Sequence, residues 1–387
     1  MRSNKDTPDC HWPAKWLSLL ALMSICLNLL PVSQTLEASQ SPNPTCSMHS
    51  EKTVDRMVAS KTPPGGHPAD KVPQFIVLTF DDNPDIEAMS WMMDTARTRA
   101  NPDGSRIPLT FFSNGKYLDE SPDLATLHLQ AWKEGHEIGN HTLNHPGGEN
   151  FSAEEWQAEI KLCTAAFVNA GIPEHAITGF RAPFIAYNAA TFAALDALDY
   201  HYDSSIEEGF EQEMDGSNGY WPYTMDNGSP GNVIAVEQEN REAVGRHKGL
   251  WQLPVHALIV PSDDMCAEYG VAPGLRERIR ENIKRDHDWE WPSAQGKITG
   301  YDWNLLEMGS VSGDEFLAIL KHSFDLKITG NRAPIVFGGH TALYPAAPID
   351  RRKAMAAFID YALEHDDVRF VTPTALIDWM NNPQTIE

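Results

Sequence analysis

"FIVLTFDDNPD", Phe75 to Asp85, drives a run of apolar and β-branched residues straight into two adjacent carboxylates, Asp81 and Asp82. The run reads as a strand that ends at the double acid. Strands commonly stop at solvated residues, so the pair acquires a chemical meaning only if other reactive residues arrive beside it. Side chains of consecutive strand residues point to opposite faces. The two acids therefore cannot share one task unless the chain turns there, which favours a division of labour: one binds a cation and the other accepts a proton.

Outward from this strand the chain alternates. Ile86, Met89, Met93 and Ala96 recur at helical spacing, then "IPLTFFSNG" forms a second apolar run closing in a turn. Leu124, Leu127, Ala131 and Trp132 mark a helix that stops at Gly135, and "HEIGNH" follows as a short strand. Trp156, Ile160, Cys163 and Phe167 make another stripe before Gly171, followed by "AITGFRAPF" as a fourth strand. "YHYDSSI", "LWQLPVHALIV", "APIVFGGHTALY" and "VRFVTP" continue the series, with helices around Phe192 and around Met355 and Phe358. Strands and helices in alternation predict a parallel sheet with crossover helices. The number of units predicts an α/β fold, a distorted (β/α) barrel of about seven parallel strands. Its site is then expected at the C-terminal ends of the strands. Asp81, Asp82, His141, His145, Arg181, Asp203 and His340 all fall at such ends.

"HTLNHP" sets His141 and His145 four residues apart, and Pro146 favours a loop over a helix at His145. Alone such a pair is often incidental. With an acid from another strand end it becomes two neutral imidazoles and a carboxylate, the donor set of a hydrolytic metal site with a coordination position left open. A metal so held lowers the pKa of water from ~15.7 to about 7. The donors favour zinc, and cobalt or nickel would also suit them.

"TFDD", "HTLNHP", "RAPF" and "FGGH", in this order and spacing, resemble the signature motifs of the polysaccharide deacetylase family, which includes chitin and peptidoglycan deacetylases. The resemblance covers about residues 73 to 380. It implies that Asp81 is the general base, that Asp82, His141 and His145 hold the metal, and that Arg181 keeps Asp81 ionised. It further implies that the Phe184 backbone N–H stabilises an oxyanion and that His340 protonates the leaving amine. Asn83 replaces the usual Gly after the double acid, and Asn tolerates the same left-handed turn. The family's Asp-and-Trp motif is not found as such. "YDSSI" stands in for it, making Asp203 the candidate to orient His340. The final motif lacks its usual Leu, which leaves His256 in "LPVHA" as a rival for the acid. Trp221, Tyr223 and Trp251 read by default as core aromatics. The Gly- and Asn-rich setting of "NGYWPYTMDNG" makes Trp221, and with it Trp251, a candidate for stacking on sugar.

Composition narrows the partners. The net charge of −24 over 387 residues argues against nucleic acid and suits a neutral or cationic partner. Lys15 precedes an apolar run, Trp16 to Leu30, and a small-residue site ends at Ala38. This reads as a secretory signal over residues 1–38, which implies an extracellular or periplasmic protein, or one anchored if the leader stays uncleaved. No stable membrane partner is otherwise expected. Residues 39–72, rich in Pro, Gly and Ser, read as a flexible leader, and residues 73–381 as one catalytic domain. Export leaves Cys46, Cys163 and Cys266, which allows one disulfide, with Cys163–Cys266 a candidate. "N-x-S/T" occurs at Asn140, Asn150 and Asn227, the first inside the proposed site. The expected activity is removal of N-acetyl groups from N-acetylglucosamine units of chitin or a related polysaccharide. Peptidoglycan or O-acetylated xylan are alternative substrates, and a non-catalytic glycan-binding barrel is the alternative class.

Overall fold

The opening run forms β1 (Gln74–Asp82), buried from Gln74 through Asp81 in the computed structural model, which describes residues 56–386. The signal-like run over residues 1–38 and Cys46 lie outside the described residues. Along the chain follow β2 (Thr110–Ser113), β3 (Glu137–Asn140), β4 (Gly179–Phe180), β5 (Tyr202–Asp203), β6 (Glu207–Glu208) and β7 (Tyr223–Thr224). Then come β8 (Trp251–Gln252), β9 (Val255–His256), β10 (Leu258–Ile259), β11 (Lys297–Ile298), β12 (Ile335–His340) and β13 (Val368–Phe370). The helices are α1 (Ile86–Arg97), α2 (Gly115–Glu120), α3 (Pro122–Lys133), α4 (Ala153–Asn169) and α5 (Ala189–Ala197). They continue with α6 (Pro230–Glu239), α7 (Leu275–His287), α8 (Gly313–Thr329), α9 (Asp350–Ala362) and α10 (Pro373–Asn381).

Seven strands run parallel in the order β12-β1-β2-β3-β4-β5-β8, with β7 an antiparallel edge beyond β8 and β13 on the first residues of β1. The ends of the row do not pair with each other; beyond β12 a single bridge, Tyr301 to Gly338, continues it. The molecule is thus the expected α/β fold, a distorted and incompletely closed barrel. Its pairing register matters most. Asp81 lies beside His340, Asp82 beside Ser113, Ser113 beside Asn140, Asn140 beside Phe180, and Phe180 beside Asp203. In-register parallel pairing therefore brings the strand ends onto one rim.

The helical stripes face the sheet. On α4, Trp156, Ile160, Cys163 and Phe167 are fully buried; on α1, Met89, Met93 and Ala96 are buried while Ile86 stays exposed. Gly135 (φ 93°) and Gly171 (φ 97°) end helices in the left-handed region, where a Cβ is disfavoured. Ser152 with Glu155, and Ser312 with Glu315, form capping boxes that start α4 and α8. Among the described residues, no helix is long and apolar enough to cross a membrane.

Two expectations are corrected here. Residues 56–72 are not a loose leader: Met57 and Thr224 exchange hydrogen bonds beside β7, the Trp221 N–H donates to the Ser60 carbonyl, and Val72 is fully buried. These polar and apolar contacts outweigh the disorder that the composition suggested. The Cys163 and Cys266 thiols are both free and buried. Cys163 on α4 aims its thiol at the Ser113 carbonyl, whereas Cys266 lies in the turn before α7.

Gly139 sits on β3 one residue before the rim, and a Cβ there would come within 2.4 Å of the Phe112 ring. Gly139→Ala is expected to destabilise the fold by about 1–3 kcal/mol in urea denaturation, the range for overpacked cores. An unchanged midpoint would show that the strands have room to part.

Candidate active site

At the end of β1 the chain turns. Asp82 (φ 67°) and Asn83 (φ 56°) both adopt left-handed backbone, so Asp82 leaves the pleat that would have set it opposite Asp81. Asn83 locks this turn. Its side-chain N–H groups donate to the Phe80 carbonyl (2.8 Å) and Ser113 Oγ (2.9 Å), and its Oδ1 accepts from Thr341 Oγ1 (3.2 Å).

Asp81 meets Arg181 inside the barrel. Arg181 Nη1 donates to Asp81 Oδ1 at 2.7 Å and to Thr79 Oγ1 at 2.6 Å. Its Nε and Nη2 donate to the Ser204 carbonyl and hydroxyl, both at 2.9 Å. The guanidinium is fully buried between the rings of Phe112 (4.4 Å) and Tyr301 (5.3 Å). Burial raises the Asp81 pKa, but the adjacent guanidinium overrides it and holds the carboxyl below its ordinary value.

Asp82 turns to the histidine loop. His145 Nε2 lies 3.1 Å and His141 Nε2 3.6 Å from Asp82 Oδ1. Asp82 Oδ1 is buried and accepts no hydrogen bond. His141 Nδ1 donates to the Arg181 carbonyl at 2.7 Å, which fixes the tautomer that leaves Nε2 with a lone pair. Burial lowers both imidazoles to a pKa of about 4, so they are neutral. The loop is held by Asn140 Oδ1, which accepts from Thr142 N, and by Thr142 Oγ1, which accepts from His145 N. Asp82, His141 and His145 are the one group among the described residues whose three donor atoms lie within 4.8 Å of one another. An orphaned carboxylate oxygen facing two imidazole lone pairs fits a divalent cation and little else.

Phe184 stands in left-handed backbone (φ 55°), and its ring packs edge-on against His145, centroids 4.3 Å apart.

His340 is held by a different carboxylate from the one expected. Asp302 accepts from His340 Nδ1 at 2.8 Å and from the His340 backbone N–H at 2.9 Å. Burial lowers the His340 pKa, but the fully buried Asp302 carboxylate prevails and raises it to about 9. Asp203 plays no part in this: its carboxylate is closed off by the Ser205 N–H (2.8 Å) and hydroxyl (2.6 Å). The missed signal was the adjacent Asp302 and Trp303 in "YDWN", the pair that the resemblance called for. His256 does not rival His340. It is buried against Lys327, Ile335 and Val336, at the opposite end of β12.

Trp221 and Trp251 are corrected too. They are 1 % and 0 % exposed, packed with Phe75, Leu253 and Leu376, and Trp221 stacks on Trp379, so neither offers a face to a sugar. Asn140 is likewise fully buried, its amide donating to the Ile160 carbonyl and Tyr200 hydroxyl, so the acceptor pattern there is accidental.

Comparison with known proteins agrees with this geometry. Residues 69–202 match the family described as polysaccharide deacetylase. The chain is 28 % identical over 366 residues to chitin deacetylase 1 of Bombyx mori, covering 90 % of this chain and 57 % of that one. It is 23 % identical over 373 residues to chitin deacetylase 8 of Bombyx mori, covering 94 % and 85 %. It is also 36 % identical over 100 residues to a peptidoglycan-N-acetylglucosamine deacetylase of Bacillus cereus, covering 25 % and 43 %. The match to the polysaccharide deacetylase family thus spans β1 to β5, and the similarity to the chitin deacetylases extends along most of the chain. The chain spans just over half the length of the first of these relatives.

The folded His340 value of about 9 exceeds the ordinary 6.5, so the stability it contributes is fully present below about 6.5 and lost as pH rises through about 9. The urea-midpoint difference between wild type and Asp302→Asn is expected to shrink across that window. A difference that stays constant from pH 6 to pH 10 would show that His340 gains nothing from Asp302.

Proposed function

We propose that this chain is a secreted, metal-dependent hydrolase that removes N-acetyl groups from N-acetylglucosamine units of chitin or a related polysaccharide. The observation that carries this reading is the shared rim: Asp82, His141 and His145 converge on one point, with Asp81 and His340 on adjacent strands beside it. The names of the Bombyx mori relatives support the substrate class. The apolar run Trp16–Leu30 supports export.

Asp82, His141 and His145 would hold the cation, with zinc favoured and cobalt or nickel as alternatives. When bound, such a cation supplies Lewis acidity, making water more acidic and the amide carbonyl more electrophilic. The chain's own residues do the rest. Asp81, kept ionised by Arg181, accepts a proton from water as its oxygen adds to the acetamide carbon. The Phe184 N–H donates to the carbonyl oxygen as charge builds there. His340, held through Nδ1 by Asp302, gives its Nε2 proton to the nitrogen as the C–N bond breaks. Acetate and a free amine result. Arg181 keeps the base in place through their buried ion pair, while Asp302 keeps the acid charged at neutral pH.

Zinc-loaded full-length chain is expected to release acetate from N-acetylated chitooligosaccharides. Asp81→Asn should lose about 10²–10⁴ of the rate, the usual contribution of a general base. No acetate from chitooligosaccharides, acetylated xylan or peptidoglycan would defeat the hydrolase reading, and acetate from only the last two would move the substrate. Elemental analysis should find one transition metal per chain, lost in His141→Ala. Full metal retention by that variant would refute the ligand assignment.

A further inference from the structure

Beside the reaction centre lies a second cleft, with carboxylates set in a largely apolar wall, that the chemistry above does not use. Its wall includes Ile185, Ser205, Glu207, Glu208, Glu211 and Arg241. Two of these tie it to the rim. Ile185 follows Phe184, which packs on His145, and the Ser205 hydroxyl accepts from the Ala182 N–H next to Arg181.

Three carboxylates on this wall each leave one buried oxygen without a hydrogen-bond partner: Glu207 Oε1, Glu208 Oε2 and Glu211 Oε2. Glu208 is 1 % exposed; its other oxygen accepts from the Tyr223 hydroxyl at 2.6 Å, and the Gly231 N–H faces it without completing a bond to Oε2. Orphaned buried polar atoms are rare in folded proteins, and three around one space call for an explanation. The cation already on the wall does not supply it. Arg241 Nε donates to Glu239 and Nη1 to the Ile185 carbonyl, with the guanidinium over the Tyr187 ring. Burial pushes Glu207 up to about 7 and Glu208 up to about 8, and Glu239 and Glu211 nearby add to the rise. An entering cation would reverse this and restore the charged forms.

The kind of cation follows from spacing and size. These oxygens do not converge as metal ligands do, since three donors come within 4.8 Å of one another only at Asp82, His141 and His145 among the described residues. The cleft encloses about 360 Å³ including its open mouth, but its interior admits only a water-sized group. That suits an ammonium head inserted from a larger molecule lying across the rim. The net charge of −24 favours a cationic partner in the same way.

We propose that this cleft is a subsite for the ammonium group of a glucosamine unit, next to the acetylated unit at the reaction centre. The inference rests on the deacetylase reading, because that reaction turns a neutral acetamide into an amine that is protonated near neutral pH. The enzyme would then favour chains in which a neighbouring unit has already lost its acetyl group.

Calorimetry on the full chain stripped of metal by a chelator, so that the acetylated ligand is not hydrolysed, tests it with fully deacetylated and fully acetylated chitotetraose as ligands. Wild type is expected to prefer the deacetylated ligand, and Glu208→Gln to lower that preference at least tenfold. Glu211→Gln should lower it in the same direction, and serves if Glu208→Gln fails to fold by thermal melting. Glu154→Gln, an exposed change on α4 with the same loss of charge, should keep the wild-type ratio. Equal affinity of wild type for the two ligands, an unchanged ratio in the cleft variants, or an equal fall in Glu154→Gln would each overturn the proposal. Acetate release from the acetylated ligand by the zinc-loaded chain, measured in parallel, reports separately on the deacetylase reading.

Discussion

The ion pair between Arg181 and Asp81 is the constraint on which the rim is built. A guanidinium with no solvent exposure must find partners for its donors, and four hydrogen bonds to two other strand ends supply them: Asp81 and Thr79 from β1, and the carbonyl and hydroxyl of Ser204 just past β5. Removing one member of such a pair leaves an uncompensated buried charge, at roughly 3–5 kcal/mol. The pair thus forces β1, β4 and β5 to end at the same height. That height is where the histidine loop and His340 also arrive. The Arg181 carbonyl, just past β4, accepts the His141 Nδ1 proton, so placement of the Asp81 carboxylate and selection of the imidazole tautomer are coupled through one residue.

Around this pair the backbone is held in conformations it would not choose. Asp82, Asn83, Thr142, His145, Phe184 and Ile185 all have φ between 49° and 67°. They are six of the eleven non-glycine positions with positive φ among the described residues. Each such position is disfavoured by roughly 1–3 kcal/mol and persists only where its surroundings over-determine it. Here the surroundings are visible: Asn83 is tied to three elements, and Asn140 and Thr142 hold the loop ahead of His145. Strain confined to three turns allows donors from separate strands to face one point.

Legibility followed period and motif. The strand β1, the stripes of α1, α3 and α4, and the rim residues could be read because apolar spacing and short motifs are local properties of a chain. Asp302 is not legible locally because its partner, His340, is 38 positions away and the two are joined only where the Tyr301 bridge lays the start of the next helical segment against β12. "LWQLPVHALIV" read as one strand yet forms three short ones, since its pairing changes from β5 to β6 to β11 within ten residues. Trp221 and Trp251 looked like sugar platforms because polar neighbours in sequence say nothing about what packs over a ring. Their cover comes from α10 and from residues 57–60, both remote in the chain.

The segment ahead of β1 carries a practical consequence for handling the protein. Met57 and Thr224 bond to each other across the outer side of β7, which would otherwise end the sheet with open amides and carbonyls. A shortened version started at residue 73, where the composition changes, would strip that border and bare Trp221 as well. Unpaired strand borders recruit other chains, so such a truncation would favour self-association while leaving every rim residue intact.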